Sequence, residues 1–283
     1  MSLGGLKIKV LFLGAGYGTR LARDLNAATE QAQSYRHLLG VPKALLPIAG
    51  KPILNHWIEL FLTSGISLQD MFIICNEHYH KAFLEWSSSP SPSTWKFPVS
   101  NLHNDGSTSN ENRHGANKDI HIAVSHFGLA SSPLLIVAGD TLFLRDFSMT
   151  EFLGYLKQGG SSLVTHYRVK HDKDTKLTGI LLLDEKDNRA TDFLEKPDPS
   201  VTMSRLACPC FYLLQPEALS LLTTFLDDCV KHKKALEEYD ATGKFVGWLI
   251  KHTSHPIHSY PISGRLDIGN LENLIEAERY FDS

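Results

Sequence analysis

A run of glycines that cuts off an apolar stretch constrains this chain most. Residues 8–13 are mostly apolar and have the length of a buried strand. They lead straight into Gly14-Ala15-Gly16-Tyr17-Gly18-Thr19-Arg20-Leu21. A strand that ends this way lets backbone N–H groups come close to a phosphate, because glycine has no Cβ to obstruct a ligand and enters positive φ freely. Arg20 supplies a fixed cation beside the turn. The segment Leu13, Gly14, Ala15, Gly16, Tyr17, Gly18 and Thr19 is therefore read as a nucleotide-binding element. Two other glycine loops do not fit. No Gly-x-x-x-x-Gly-Lys-Ser/Thr run exists in the chain, and in Gly14-x-Gly16-x-Gly18 the third glycine falls one residue too early for a dinucleotide fingerprint.

The chain has 283 residues, enough for one large α/β core, and a formal net charge of −3. That charge argues against a dedicated nucleic-acid binder but not against a phosphate site, where a few local cations suffice. No apolar stretch approaches the roughly 18 residues needed to span a bilayer, and no basic segment followed by an apolar one marks a secretory leader. Met1-Ser2-Leu3 is set aside from the fold reasoning. The four cysteines are Cys75, Cys208, Cys210 and Cys229. Cys208-Pro-Cys210 is too tight for a zinc knuckle and has no partner pair, so free thiols in a reducing compartment, the cytoplasm, are expected. The 14 histidines contain no His-Glu-x-x-His pattern and are read as surface or packing residues.

Hydrophobic periodicity predicts strands at 7–13, 71–75 and 134–138, and helices at 52–64, 78–86 and 119–127, with loops at 87–94 and 105–117. This alternation implies a parallel sheet with helices on both faces, whose ligands lie beyond the carboxyl ends of the strands. The second half predicts strands at 162–168, 179–183, 189–195, 211–214 and 257–260. It also predicts helices at 216–226, 241–252 and 271–281. No internal repeat is present, and no hexapeptide repeat follows the core.

A second motif, Val41-Pro42-Lys43-Ala44-Leu45-Leu46-Pro47-Ile48-Ala49-Gly50-Lys51-Pro52-Ile53-Leu54, follows the glycine turn. Together the two resemble the sugar-1-phosphate nucleotidyltransferase family, in its short form without a β-helix domain. Further segments match in order: Gly139-Asp140, Thr178-Gly179-Ile180, Glu195-Lys196-Pro197 and Asp267-Ile268-Gly269-Asn270. The resemblance implies an α/β fold with a Rossmann-like mixed sheet flanked by helices, of nucleotide-diphospho-sugar transferase type, in a single domain. About 7–150 would form its nucleotide-binding half and about 151–283 its sugar-phosphate half. It implies Arg20 and Lys43 as catalytic cations and Asp140 and Asp267 as ligands of Mg²⁺. Gly179, Glu195 and Lys196 would bind the sugar phosphate. Asn104, with Gly115 against the base, would complete the nucleotide site.

The implied reaction is attack of a sugar 1-phosphate oxygen on the α-phosphorus of an NTP, with pyrophosphate leaving. The partners are then an NTP and a sugar 1-phosphate, with no nucleic acid and no membrane, and with association of identical chains left open. A hexose 1-phosphate with UTP or dTTP is the leading substrate pair. Cytidylyl or guanylyl transfer to another phosphorylated acceptor, and a regulatory homologue that only binds nucleotide sugar, are the alternatives. Two departures from the family pattern stand out. Residues 21–41 are an insertion expected to be mobile and to lid the triphosphate or form an interface. The segment 104–116 is longer than the family's base-reading segment, which leaves the base open.

Overall fold

A computed structural model describes residues 7–89, 95–156 and 160–283. Its strands are β1 Lys9–Gly14, β2 Pro47–Ile48, β3 Lys51–Pro52, β4 Met71–Cys75, β5 Leu102–Asn104, β6 Leu134–Ala138, β7 Thr141–Phe143, β8 Ser162–Arg168, β9 Gly179–Leu183, β10 Ala190–Glu195, β11 Leu206–Ala207, β12 Phe211–Leu214, β13 Ile257–Pro261 and β14 Arg265–Asp267. The main sheet has ten strands in the order β10-β9-β11-β8-β12-β6-β1-β4-β5, with β13 paired to β8. It is mixed. β4 and β5 are parallel and so are β8 and β13, but β12 is antiparallel to both β6 and β8. The mixed sheet that the family resemblance implies is thus the one observed, and its antiparallel pairs enter with the second half of the chain. A strand from the second half, β12, lies beside β6, and local periodicity cannot show such a partner.

By packing, the described chain divides into two compact units. Unit 1 contains residues 7–11, His114–Val137 and Arg145–Gly264, and unit 2 contains Phe12–Arg113, Ala138–Leu144 and Arg265–Ser283. In unit 2, β4 is buried along its whole length, and the helix Ile53–Thr63 presents Ile53, Leu54, Trp57, Ile58 and Phe61 to the core. The Trp57 indole donates to the Thr141 carbonyl at 2.7 Å, and its ring packs on Phe61 and Phe143. Each such aromatic contributes about 1.5–3 kcal/mol by burial. In unit 1, β12 is wholly buried, and the helix Thr242–His252 buries Gly243, Phe245, Val246, Gly247 and Leu249.

Element positions follow the sequence pattern closely, and the departures have local causes. The helix Glu77–Ser88 runs past the expected end at 86, because the Ser87 and Ser88 hydroxyls bond the Leu84 carbonyl. Of the loop expected at 87–94, residues 90–94 lie outside the described residues. The helix Ala116–Phe127 begins three residues earlier than expected, inside the predicted loop, and a short 3₁₀ turn occupies Asn110–Asn112. The helix expected at 216–226 is two helices, Pro216–Ser220 and Leu222–Lys231. The break falls where the Leu221 N–H bonds the Ala218 carbonyl, three residues back rather than four.

The insertion 21–41 is built into unit 2. Its helices are Thr19–Leu25, which starts just ahead of it, and Glu30–Ser34, which Thr29 caps by accepting from the Ala32 N–H at 3.1 Å. Leu21, Leu25, Ala32 and Leu38 are buried. Asp24 accepts from the Leu271 N–H, and the Tyr35 hydroxyl donates to Glu278, both on the C-terminal helix Leu271–Asp282. The expectation of a mobile segment rests on its polar length, but four apolar residues spaced along it are buried.

Candidate active site

In unit 2 the glycine turn is held from below. Gly14 sits where a Cβ would come within 2.8 Å of the Phe83 ring and 3.1 Å of the Ile74 carbonyl. Asn76, fully buried, donates to the Ala15 carbonyl at 2.8 Å while capping the next helix through the Tyr79 N–H at 2.9 Å. The Tyr79 hydroxyl donates to the Tyr17 carbonyl, and the Tyr17 hydroxyl to Ser107. Around Gly16 a side chain would meet nothing. Gly18 then turns left-handed at φ 63 to become the N-cap of the helix Thr19–Leu25. With no side chain there, the cap leaves the first helical N–H groups without a side-chain acceptor.

Four predicted residues converge on this turn. The Gly139 N–H bonds the Leu13 carbonyl at 3.0 Å, so the Gly-Asp corner is fastened to the end of β1. Asp140 follows, and the Ile268 N–H bonds its carbonyl at 2.8 Å. β14 pairs antiparallel with β7, placing Asp267 opposite Thr141 and hence beside Asp140. Lys43 reaches Asp140 at 2.9 Å, and Arg265 reaches Asp267 at 3.0 Å. The Lys43 stem lies under Gly18, and the Arg20 guanidinium and the Asp267 carboxylate both border Gly269. Three cations therefore surround two carboxylates. Burial pushes the Asp140 carboxyl up, but the charge and hydrogen bond of Lys43, with Arg265 behind it, outweigh this and hold it below the usual carboxylate range. Both aspartates are about one-third exposed, open enough to meet a ligand.

Asn104 stands apart at the end of β5. Its Oδ1 accepts from the Gly106 N–H at 2.8 Å and its Nδ2 donates to Glu77, so both edges of the amide are occupied by protein. Gly115 belongs to unit 1 rather than unit 2. Its φ is 88, and a Cβ there would meet Leu236 at 2.8 Å and Asp240 at 3.0 Å. This direction is filled by protein, so the glycine is required by packing.

Also in unit 1, Gly179, Glu195 and Lys196 come together where β9 and β10 pair, with Glu195 opposite Gly179. The spot is crowded. A Cβ on Gly179 or on Gly243 would fall 2.1 Å from the Phe193 ring tip, and one on Gly243 also 3.0 Å from the Glu195 carboxylate. Burial pushes the Glu195 carboxyl above its ordinary range and Asp240 adds to this, while Lys196 and Lys244 pull it down. Lys196 lies at φ 48 although it precedes Pro197, and its N–H bonds the Thr178 carbonyl at 3.2 Å. A residue before proline is confined to extended backbone, so a left-handed conformation there stores about 1–3 kcal/mol of strain that the β9–β10 frame must hold.

Several residues of these clusters escaped the sequence reading. Arg265 was findable, since it lies two positions from Asp267 on a strand and so shares its face. Asn76 was visible only as a helix cap. Phe193, Gly243 and Asp240 gave no local signal. Among the described residues no group of three or more His, Cys, Asp or Glu stands ready for a metal, and no helix is long and apolar enough to cross a membrane.

Comparison with known proteins supports the fold. Three solved structures share the fold. An apo UDP-glucose pyrophosphorylase is 17% identical, covers 97% of this chain and 98% of its own, and superposes with a TM-score of 0.72. A UDP-glucose pyrophosphorylase complexed with UDP-glucose is 18% identical, with 98% of each chain covered and a TM-score of 0.72. A Bacillus anthracis protein assigned as a glucose-1-phosphate thymidylyltransferase, solved with sucrose, is 17% identical, covers 96% of this chain and 94% of its own, and has a TM-score of 0.69. A family model, that of the nucleotidyl transferases, matches residues 36–282; it begins within the insertion, past the glycine turn, and takes in Lys43, Asp140, Lys196 and Asp267. By that match the chain is a nucleotidyltransferase and belongs to the nucleotidyl transferase family.

Proposed function

We propose that this enzyme transfers a nucleoside monophosphate from an NTP to a sugar 1-phosphate and releases pyrophosphate. The observation that carries the reading is the meeting of Asp140 and Asp267 at one strand pair, among Lys43, Arg265 and Arg20. A sugar phosphate oxygen is already an anion, so the reaction needs no general base. It needs alignment and charge neutralisation. Arg20 and Lys43 serve the triphosphate, and the N–H groups of Gly16, Tyr17, Gly18 and Thr19 line its path. In unit 1, Lys196 meets the sugar phosphate, Glu195 accepts from sugar hydroxyls, and the backbone of Gly179 lies along the sugar.

Mg²⁺ fits the donor set. Two carboxylates give hard oxygen ligands and leave room for waters and phosphate oxygens, as that ion prefers. Asp140 and Asp267 would hold it. When bound, it would neutralise charge on the reacting phosphate. Asp140 is suited to this because Lys43 keeps it ionised.

The substrate pair is a hexose 1-phosphate with UTP or dTTP. The names of the structural neighbours, UDP-glucose pyrophosphorylase and glucose-1-phosphate thymidylyltransferase, support this choice. In unit 2, Asn104 reads the base edge once Glu77 releases its amide; in unit 1, Gly115 belongs to the nucleotide-binding set by the family resemblance. The four cysteines form no disulfide, in keeping with a cytoplasmic enzyme. The test is a matrix of five NTPs against a panel of sugar 1-phosphates and alditol phosphates, scored by pyrophosphate release. Turnover with UTP or dTTP and a hexose 1-phosphate is expected. Turnover only with CTP or GTP moves the base assignment, and nucleotide-sugar binding without turnover replaces the enzyme by a sensor.

A further inference from the structure

The helix Ala116–Phe127 starts at Gly115, which has no side chain to cap it. The cap comes from unit 1's own later segment. Asp240 Oδ1 accepts from the Ala116 N–H at 2.8 Å. Asn117, fully buried, donates its Nδ2 to the Tyr239 carbonyl at 2.7 Å and to the Ala241 carbonyl at 2.9 Å. The Asn117 N–H faces the Asp240 carbonyl at 3.4 Å. Gly115 presses close enough that a Cβ would stand 3.3 Å from Asp240 Cα, so the two backbones are in contact.

The same segment has a second end. Ala241 leads directly into the helix Thr242–His252. There Gly243 rests on Phe193 and the Glu195 carboxylate, and the Thr242 hydroxyl lies 3.5 Å from that of Tyr212. The groups acting on Glu195 are Lys196 and Lys244, which are cationic, and Asp240, which is anionic; the Tyr212 phenol is also coupled to Glu195. One aspartate thus caps the Gly115 turn by hydrogen bond and reaches Glu195 by charge.

We infer that Asp240 is a positioning residue that fixes the nucleotide-side turn Gly115–Ala116 against the sugar-side carboxylate Glu195. This rests on the reading of the enzyme as a sugar-1-phosphate nucleotidyltransferase. Two bound anions react only when aligned, and a displacement of about 1 Å costs on the order of 10² in rate. The segment 239–243 spans both groups without touching either substrate in this assignment, so its stiffness sets their spacing.

Steady-state kinetics of Asp240→Ala and Asp240→Asn test this, on whichever NTP and sugar 1-phosphate the wild type turns over. For Asp240→Ala we expect kcat to fall by about 10² and both KM values to rise. Asp240→Asn keeps the Oδ1 acceptor, so it should restore kcat to within about threefold. It removes the negative charge near Glu195, so the acid limb of kcat/KM for the sugar phosphate should move to lower pH. The inference is overturned if Asp240→Ala loses activity only in proportion to its folded fraction, with both KM values unchanged. It is overturned equally if Asp240→Asn is no better than Asp240→Ala. Should Asp240→Ala fail to fold, the acid limb of Asp240→Asn decides, and an unmoved limb overturns the inference. A wild type that turns over no such pair fails the functional reading instead.

Discussion

The two units build their candidate subsites by opposite means. In unit 2 the predicted residues are charged and matched in pairs, Lys43 with Asp140 and Arg265 with Asp267, on a backbone tied down by Asn76 and Gly139. In unit 1 the frame is steric. Two glycines, Gly179 and Gly243, close on the Phe193 ring and leave Glu195 and a strained Lys196 at the edge. A polyanion can be held by charge with loose shape tolerance. A sugar has no net charge on its ring, so shape must select it. Charge balance and tight packing fail differently under mutation.

The largest expected effect is on the charged side. Asp140→Asn and Asp267→Asn should each lower kcat by about 10²–10³ while the protein stays folded, the scale of losing one preorganised electrostatic partner. Pyrophosphate release at saturating Mg²⁺ measures this, and near-wild-type turnover in either variant would remove the contrast.

Acid should attack the other unit. Burial pushes His166, on β8, down to about 4, and it pairs with the Ser259 hydroxyl at 2.7 Å. The unfolded chain takes a proton near 6.5, which the folded state refuses until about 4, so stability is lost as pH falls through that window and levels off below it. The loss is at most about 3 kcal/mol. Denaturant midpoints at pH 7, 5.5 and 4 should flatten in His166→Asn; an unchanged slope means the histidine is not the cause.

Gly179→Ala comes next. It places a methyl 2.1 Å from the Phe193 ring and should cost about 1–3 kcal/mol by overpacking. Phe193→Leu in the same chain should recover part of it, and a melting temperature unaffected by Gly179→Ala would show that the ring swings away freely.

The two lysines should separate by substrate. Lys196→Ala should raise KM for the sugar phosphate about tenfold and leave the NTP constant within about twofold, and Lys43→Ala the reverse. If Lys196→Ala moves the NTP constant instead, the division of labour between the units is wrong.

The smallest effect is at the insertion. Tyr35→Phe removes one hydrogen bond to Glu278 and should cost about 0.5–1.5 kcal/mol with no change in turnover. A drop in kcat would restore the idea of a lid.

How much of this was legible beforehand depended on range. The glycine turn could be read from its own residues, whereas Lys43, Asp140, Glu195, Lys196 and Asp267 were marked by short motifs that resemble the family's. Strand and helix positions were legible because burial imposes a period on sequence. What was not legible is contact between distant segments. Periodicity does not tell which strand lies beside β6, or that Asp240 caps a helix begun at Ala116. In the insertion, polar composition hid four buried apolar residues. Asn104 came from the family resemblance, and its bonds to Glu77 and Gly106 follow from a turn that composition alone does not specify.

The pairing of β7 with β14 has a consequence for how the protein is made. Asp140 and Asp267 come from opposite sides of the long unit 1 segment Arg145–Gly264, and they meet only when Arg265–Asp267 lies down along Thr141–Phe143. Chains grow from the N-terminus at about 5–20 residues per second, and segments fold as they emerge. The glycine turn, Lys43 and Asp140 are therefore synthesised long before their second carboxylate. A nascent chain that has not yet reached β14 carries only one of the two carboxylates proposed to hold the metal.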